Sequence, residues 1–145
     1  MAALEKGSSI DDLINGYAGT IVGLLYVHEY TKDDRLIPVI EAYTEKLLDK
    51  GTFGKYGIYW DRASTLLRGL CGFSHGTAGI GYAFLQLGYY FKNPAFYFIA
   101  EMAFGYENQF YNPAAQNWPD FRKGFYDEDS LKEFKEAYEN DDKDF

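Results

Sequence analysis

Apolar runs and amphipathic runs alternate along this chain. Ile21 to Val27 is apolar nearly all round, whereas the segment after it places Leu36, Ile37, Ile40, Tyr43, Leu47 and Leu48 on one stripe and charge on the other side. The first pattern predicts a helix buried on most faces, and the second an outer, amphipathic helix. After a loose lead-in over residues 1–9, the first helix is expected from Asp11 or Asp12 to Tyr30, with Ser8, Ser9, Asp11 and Asp12 offering N-cap oxygens. Thr31-Lys32-Asp33-Asp34 reads as a turn, Arg35 to Lys50 as the second helix, and Gly51 as its C-cap. Residues 51–70, rich in glycine and aromatics, read as a connection with some extended character. A third, mostly apolar helix follows over Gly76 to Phe91, and Asn93-Pro94 restarts the chain into a fourth that ends near Phe110. Asn112-Pro113 and Asn117-Trp118-Pro119-Asp120 mark a long loop. The tail, residues 127–145, carries nine acidic residues against three lysines, yet Leu131, Phe134 and Tyr138 keep helical spacing. It reads as a short amphipathic helix before a solvated acidic end.

The pattern repeats. Asn15-Gly16-Tyr17-Ala18-Gly19 lies 60 residues before His75-Gly76-Thr77-Ala78-Gly79, and the alignment continues without a gap. Gly16, Ala18, Gly19, Leu25, Tyr30, Lys32 and Glu41 match Gly76, Ala78, Gly79, Leu85, Tyr90, Lys92 and Glu101. Such a period points to stacked helical hairpins, about 11–50 and 76–110. The fold class expected is all-α. Inner apolar helices alternating with outer amphipathic ones make the pattern of an α/α toroid. Two hairpins cannot close such a ring, so the chain is expected either to self-associate through its inner helices or to belong to something longer.

Composition narrows the partners. The length fits one domain, and 14 Tyr and 12 Phe supply large rings for its core. A net charge of −8 with no basic patch argues against nucleic acid and anionic membranes. The single cysteine, Cys71, excludes an internal disulfide and fits a reducing compartment. The N-terminus lacks a charged region followed by an apolar core, and no apolar run is long enough to span a bilayer, so the expected location is the cytoplasm.

Candidate chemistry centres on Gly72-Phe73-Ser74-His75-Gly76-Thr77-Ala78-Gly79-Ile80. It sets one of two histidines beside a helix N-terminus, where the positive end of the dipole disfavours an imidazolium. A neutral imidazole near pH 7 can take or give a proton, so His75 is a candidate acid/base. The alternative is a capping histidine between helix-packing glycines. His28, within the apolar body of the first helix, reads as a packing residue. Cys71 stands four residues from His75 across a glycine turn, which defines no dyad, and reads as buried and inert. Asp61 beside Trp60 and Asp120 near Trp118 leave a carbohydrate-processing toroid open as an alternative, against loop tryptophans that only anchor. A non-catalytic binding or assembly module stays open as well.

The His75 stretch resembles the Gly-x-x-His-Gly-x-x-Gly-Ile motif of the lanthionine synthetase C-like proteins. Asn117-Trp118-Pro119-Asp120-Phe121-Arg122 and Asp12-Leu13-Ile14-Asn15-Gly16-Tyr17-Ala18-Gly19 resemble two further elements of that family. The resemblance covers roughly residues 10–122. It implies an α/α barrel of six or seven helical hairpins around a zinc ion. It also implies addition of a cysteine thiol of a dehydrated precursor peptide to dehydroalanine or dehydrobutyrine, forming a thioether. In its terms His75 is the catalytic histidine and Asp12 the catalytic aspartate. It draws its zinc ligands from later Trp-Cys and Cys-His-Gly motifs, and the sequence stops at Phe145 before either. Zinc is therefore expected in the full-length family domain but not in this chain alone, where Cys71, His75 and His28 are the only soft candidates. Without that metal the chain alone is expected to be inactive as a cyclase.

Overall fold

The computed structural model describes residues 11–60 and 69–121. Within them the chain is mostly helical: α1 is Tyr17–Thr31, α2 Ile37–Lys50, α3 Thr77–Phe91 and α4 Pro94–Asn108. A short 3-10 turn at Asp34–Leu36 precedes α2. The extended character expected after α2 is an antiparallel hairpin of β1, Thr52–Gly54, and β2, Gly57–Tyr59, which pairs Phe53 with Ile58. Ser8, Ser9, Asp61 and the acidic tail fall outside the described residues.

Local chemistry sets most helix ends where the sequence places them. Asp33 accepts the N–H of Arg35 and starts the turn into α2. Asn93 accepts the N–H of Ala95 at 3.0 Å, with Pro94 as the first residue of α4. Gly51 caps α2 as expected, donating to the carbonyls of Leu47 and Leu48, though its backbone is extended rather than left-handed. The beginning of α1 differs from expectation. Residues 11–16 form a tight turn instead of the first helical turn. The Asp12 carboxylate takes the N–H of Asn15 at 2.8 Å, and its carbonyl takes those of Gly16 and Gly19. These bonds close the chain locally before the helical ladder begins, so Asp12 caps the turn and Gly16 caps the helix without any side-chain bond.

The 60-residue repeat is a structural one. The same turn precedes α3, with Gly76 in place of Gly16 as N-cap. Lys32 and Lys92 end α1 and α3 in the same left-handed conformation, at φ 55° and 52°. In both units the leading turn presses on the first turn of the helix. A Cβ on Gly19 would stand 1.9 Å from the Leu13 carbonyl oxygen, and a Cβ on Gly79 1.9 Å from that of Phe73. Only glycine permits that approach.

Helices α1 and α2 pack as one hairpin and α3 and α4 as another, with α1 against α3. Contacts at both ends show that α1 and α3 lie side by side and parallel. Ile14 donates to the Ser74 carbonyl at one end, and His28 meets Tyr90 at the other. Ile21, Ile40, Leu47, Ile58, Phe84 and Leu87 are buried between them. Trp60, 4% exposed, stacks on Phe84 and donates to the Leu47 carbonyl at 2.7 Å, tying α2 to α3. It therefore offers no face to a sugar. Helix α3 is buried on most sides, as its sequence predicts. Helix α1 is not: only Ala18, Ile21 and Leu25 are buried, and Tyr26, Val27 and Tyr30 are exposed. Among the described helices α1 has α2 and α3 as neighbours, whereas α3 also receives α4 and Trp60.

Gly19→Ala and Gly79→Ala are each expected to lower stability by roughly 1–3 kcal/mol or more, because backbone must move to admit the methyl. Gly23→Ala, where nothing lies within 4 Å, is expected to add about 0.5–1 kcal/mol. Urea unfolding of the three variants checks the contrast.

Candidate functional site

The parallel alignment of α1 and α3 brings their leading turns together. Nδ1 of His75 lies 2.7 Å from Oδ2 of Asp12. Asp12 is buried, and its other oxygen is held by the Asn15 N–H, so the carboxylate is fixed from two sides. A carboxylate can only accept, which places the imidazole proton on Nδ1 and leaves Nε2 as the basic nitrogen. The His75 ring is about one-third exposed, at 35%, and Nε2 has no hydrogen-bond partner among the described residues. An imidazole oriented on one nitrogen by a buried carboxylate and open at the other can exchange a proton with a bound molecule.

The two members come from different repeats. Subtracting the 60-residue offset, His75 corresponds to Asn15 and Gly72 to Asp12. Each unit carries one half of the pair. The pair forms because Ile14 and Ser74 bond backbone to backbone beside it, at 3.2 Å. His75 does not itself cap α3, since Gly76 holds that position.

Glu107, which sequence reasoning missed, takes part of that capping role. Its Oε1 accepts the N–H of Ala78 at 2.6 Å and of Gly72 at 2.8 Å. The Thr77 N–H goes to the Leu70 carbonyl at 2.8 Å. Burial pushes the Glu107 carboxyl above its ordinary value, and the two N–H bonds pull it partway back. A signal existed: in α4, Ala100, Ala103 and Glu107 share one buried face, so the glutamate stands at a core position of an amphipathic helix.

Cys71 is partly buried beside Leu70, Phe110 and Phe121. Burial, and after it the charge of Glu107, push its thiol far above the usual range, so the thiolate that attacks or binds metal is suppressed. His28 engages both ring nitrogens, one with the Tyr90 hydroxyl and one with Asp34 at 3.2 Å. No three His, Cys, Asp or Glu side chains gather as a metal requires among the described residues. These residues therefore do not fit a zinc ion. Trp118 is 40% exposed, lies against Tyr111 with the two rings tilted, and donates its indole N–H to the Glu107 carbonyl at 3.0 Å. A groove of about 940 Å³ opens elsewhere, lined by Leu25, Tyr26, Tyr89, Tyr90, Lys92 and Tyr97, and includes neither Asp12 nor His75. No described helix is long and apolar enough to cross a membrane.

The raised Glu107 carboxyl fixes the sign of a pH effect. The native state holds this proton more tightly than the unfolded chain, whose ordinary value is 4.5. Stability from this group is therefore full below that value and declines as pH rises through the raised one. The stability of the native sequence relative to Glu107→Gln, from urea unfolding at several pH values from about 5 upward, is expected to fall and then level off. A relative stability that rises over that range would contradict the assignment.

No curated protein and no solved structure matches the chain. The family model for the lanthionine synthetase C-like protein matches residues 2–137, nearly the whole sequence. That span includes both leading turns and the Asp12–His75 pair they create, and the chain belongs to the lanthionine synthetase C-like family.

Proposed function

We propose that this chain supplies the acid/base half of a thioether-forming cyclase site, within hairpins of an α/α toroid. The observation that carries the reading is the Asp12–His75 bond, with the His75 side chain about one-third exposed, at 35%, and Nε2 without a hydrogen-bond partner among the described residues. In the reaction a cysteine sulfur bonds to the β-carbon of a dehydrated residue. The electron pair of the double bond moves to the α-carbon, and the thiol proton must reach that carbon. His75 is suited to take that proton on Nε2 and return it. Asp12 holds the ring and stabilises the imidazolium formed in between. Zinc, in the family, activates the thiol. Cys71 and the two histidines of this chain do not provide that activation, so the 145 residues alone are expected to form no thioether. The substrate is a dehydrated, cysteine-bearing peptide.

The test is loss of free thiol without change of peptide mass, since the addition is an isomerisation. In a zinc-loaded polypeptide that contains this chain, His75→Ala is expected to lower the rate by about 10²–10⁴-fold. Its helical circular dichroism should be unchanged. Retained cyclisation would remove His75 from the chemistry.

Tyr26, Val27 and Tyr30 on α1 and Tyr89 on α3 are exposed, and we infer self-association through these inner helices. Light scattering should report a mass above the monomer as concentration rises. A clean monomer at high concentration would count against it.

A further inference from the structure

The leading turn of α1 and that of α3 are built alike but held differently. In the first, Asp12 organises its own turn by accepting the Asn15 N–H. In the second, Gly72 stands at the matching position, at φ 111°, and has no side chain to do so. The N-cap Gly76 contributes no side-chain bond either. The carboxylate that replaces them arrives from α4. One oxygen of Glu107 binds the N–H of Gly72 and the N–H of Ala78, the residues three before and three after His75.

Resting on the acid/base reading above, we propose that Glu107 is the positioning residue of the Asp12–His75 pair. By joining Gly72 to Ala78 at a single atom it closes the loop that carries His75 and holds the imidazole against Asp12. Glu107 acts on the pair through backbone N–H groups, those of Gly72 and Ala78. Its own place is fixed on two sides. The Trp118 indole donates to its carbonyl at 3.0 Å. The neighbouring Tyr106 hydroxyl donates to the Gly69 carbonyl at 2.8 Å. The Asn-Trp-Pro-Asp stretch thereby gains a role that no reaction step assigns to it. It latches the end of α4 where the glutamate sits. Burying a carboxylate is unfavourable unless its bonds are good, and a neutral acceptor would serve a purely structural cap. The conservative variant therefore separates position from charge.

The experiment is nitrogen NMR of the imidazoles in the 145-residue chain. It has two histidines, and the signals of His75 are identified by their loss in His75→Ala. Glu107→Ala is expected to keep the helical circular dichroism. The Nδ1–H resonance of His75 should broaden away, and its ring should become a mixture of tautomers. Glu107→Gln, which retains an oxygen able to accept both N–H groups, is expected to restore the native signals. Unchanged His75 signals in Glu107→Ala would overturn the proposal, and so would a Gln variant as perturbed as the Ala variant. If the Ala variant does not fold, Glu107→Asp carries the test. It is one methylene too short to reach both N–H groups, so native His75 signals in it would overturn the proposal. Unfolding of all three variants would overturn it as well. The readout needs no substrate, so failure of the cyclase reading and failure of this one are separate results.

Discussion

Everything at the candidate site depends on how closely a turn of backbone sits on the helix that follows it. The Leu13 and Phe73 carbonyls occupy the space where a side chain on Gly19 or Gly79 would be. That contact sets the direction in which each turn enters its helix. Because it is made twice, with the same glycine, the two turns present the same edges. They can then bond to each other, Ile14 to Ser74, once α1 and α3 lie parallel. The 2.7 Å meeting of Asp12 and His75 follows from that stacking and not from any sequence proximity.

A duplicated unit ordinarily offers the same groups twice. Here the two copies have diverged in a complementary way. The first retains the carboxylate and carries Asn15 where the second has its histidine, and the second carries Gly72 where the first has its aspartate. Gly72 offers the second turn no side-chain acceptor, and α4, the second helix of the same hairpin, supplies one through Glu107. Burial, and after it the charge of the same glutamate, discourage ionisation of Cys71, the one cysteine of the chain.

The two ends of the α1–α3 pair differ in kind. At the leading end, polar groups converge, and one imidazole nitrogen has no hydrogen-bond partner among the described residues. At the other, His28 is consumed by Tyr90 and Asp34, and the surface opens into a groove of tyrosines and aliphatic side chains. Acid/base work requires an oriented ring and a carboxylate more than it requires space, and those two groups meet at the leading end.

The sequence by itself determined the four helices, the hairpin organisation and the repeat. Those follow from periodicity, from capping residues such as Asn93 and from glycine spacing, all of which act within a few residues. It also pointed to Asp12 and His75, through motifs that can be read in one dimension. It misjudged the beginning of α1, because the bonds that make a tight turn of residues 11–16 compete with the helix for the same N–H groups, and propensity does not say which wins. It misjudged the burial of α1, because an apolar surface shows what could be covered and not how many neighbours cover it. It was silent on Glu107. The bonds of that residue span 35 and 29 positions, and nothing local distinguishes it from a glutamate on a solvated face except its place on the buried stripe of α4. Only packing, which brings the end of α4 beneath the turn before α3, decided that this carboxylate would hold the histidine's loop.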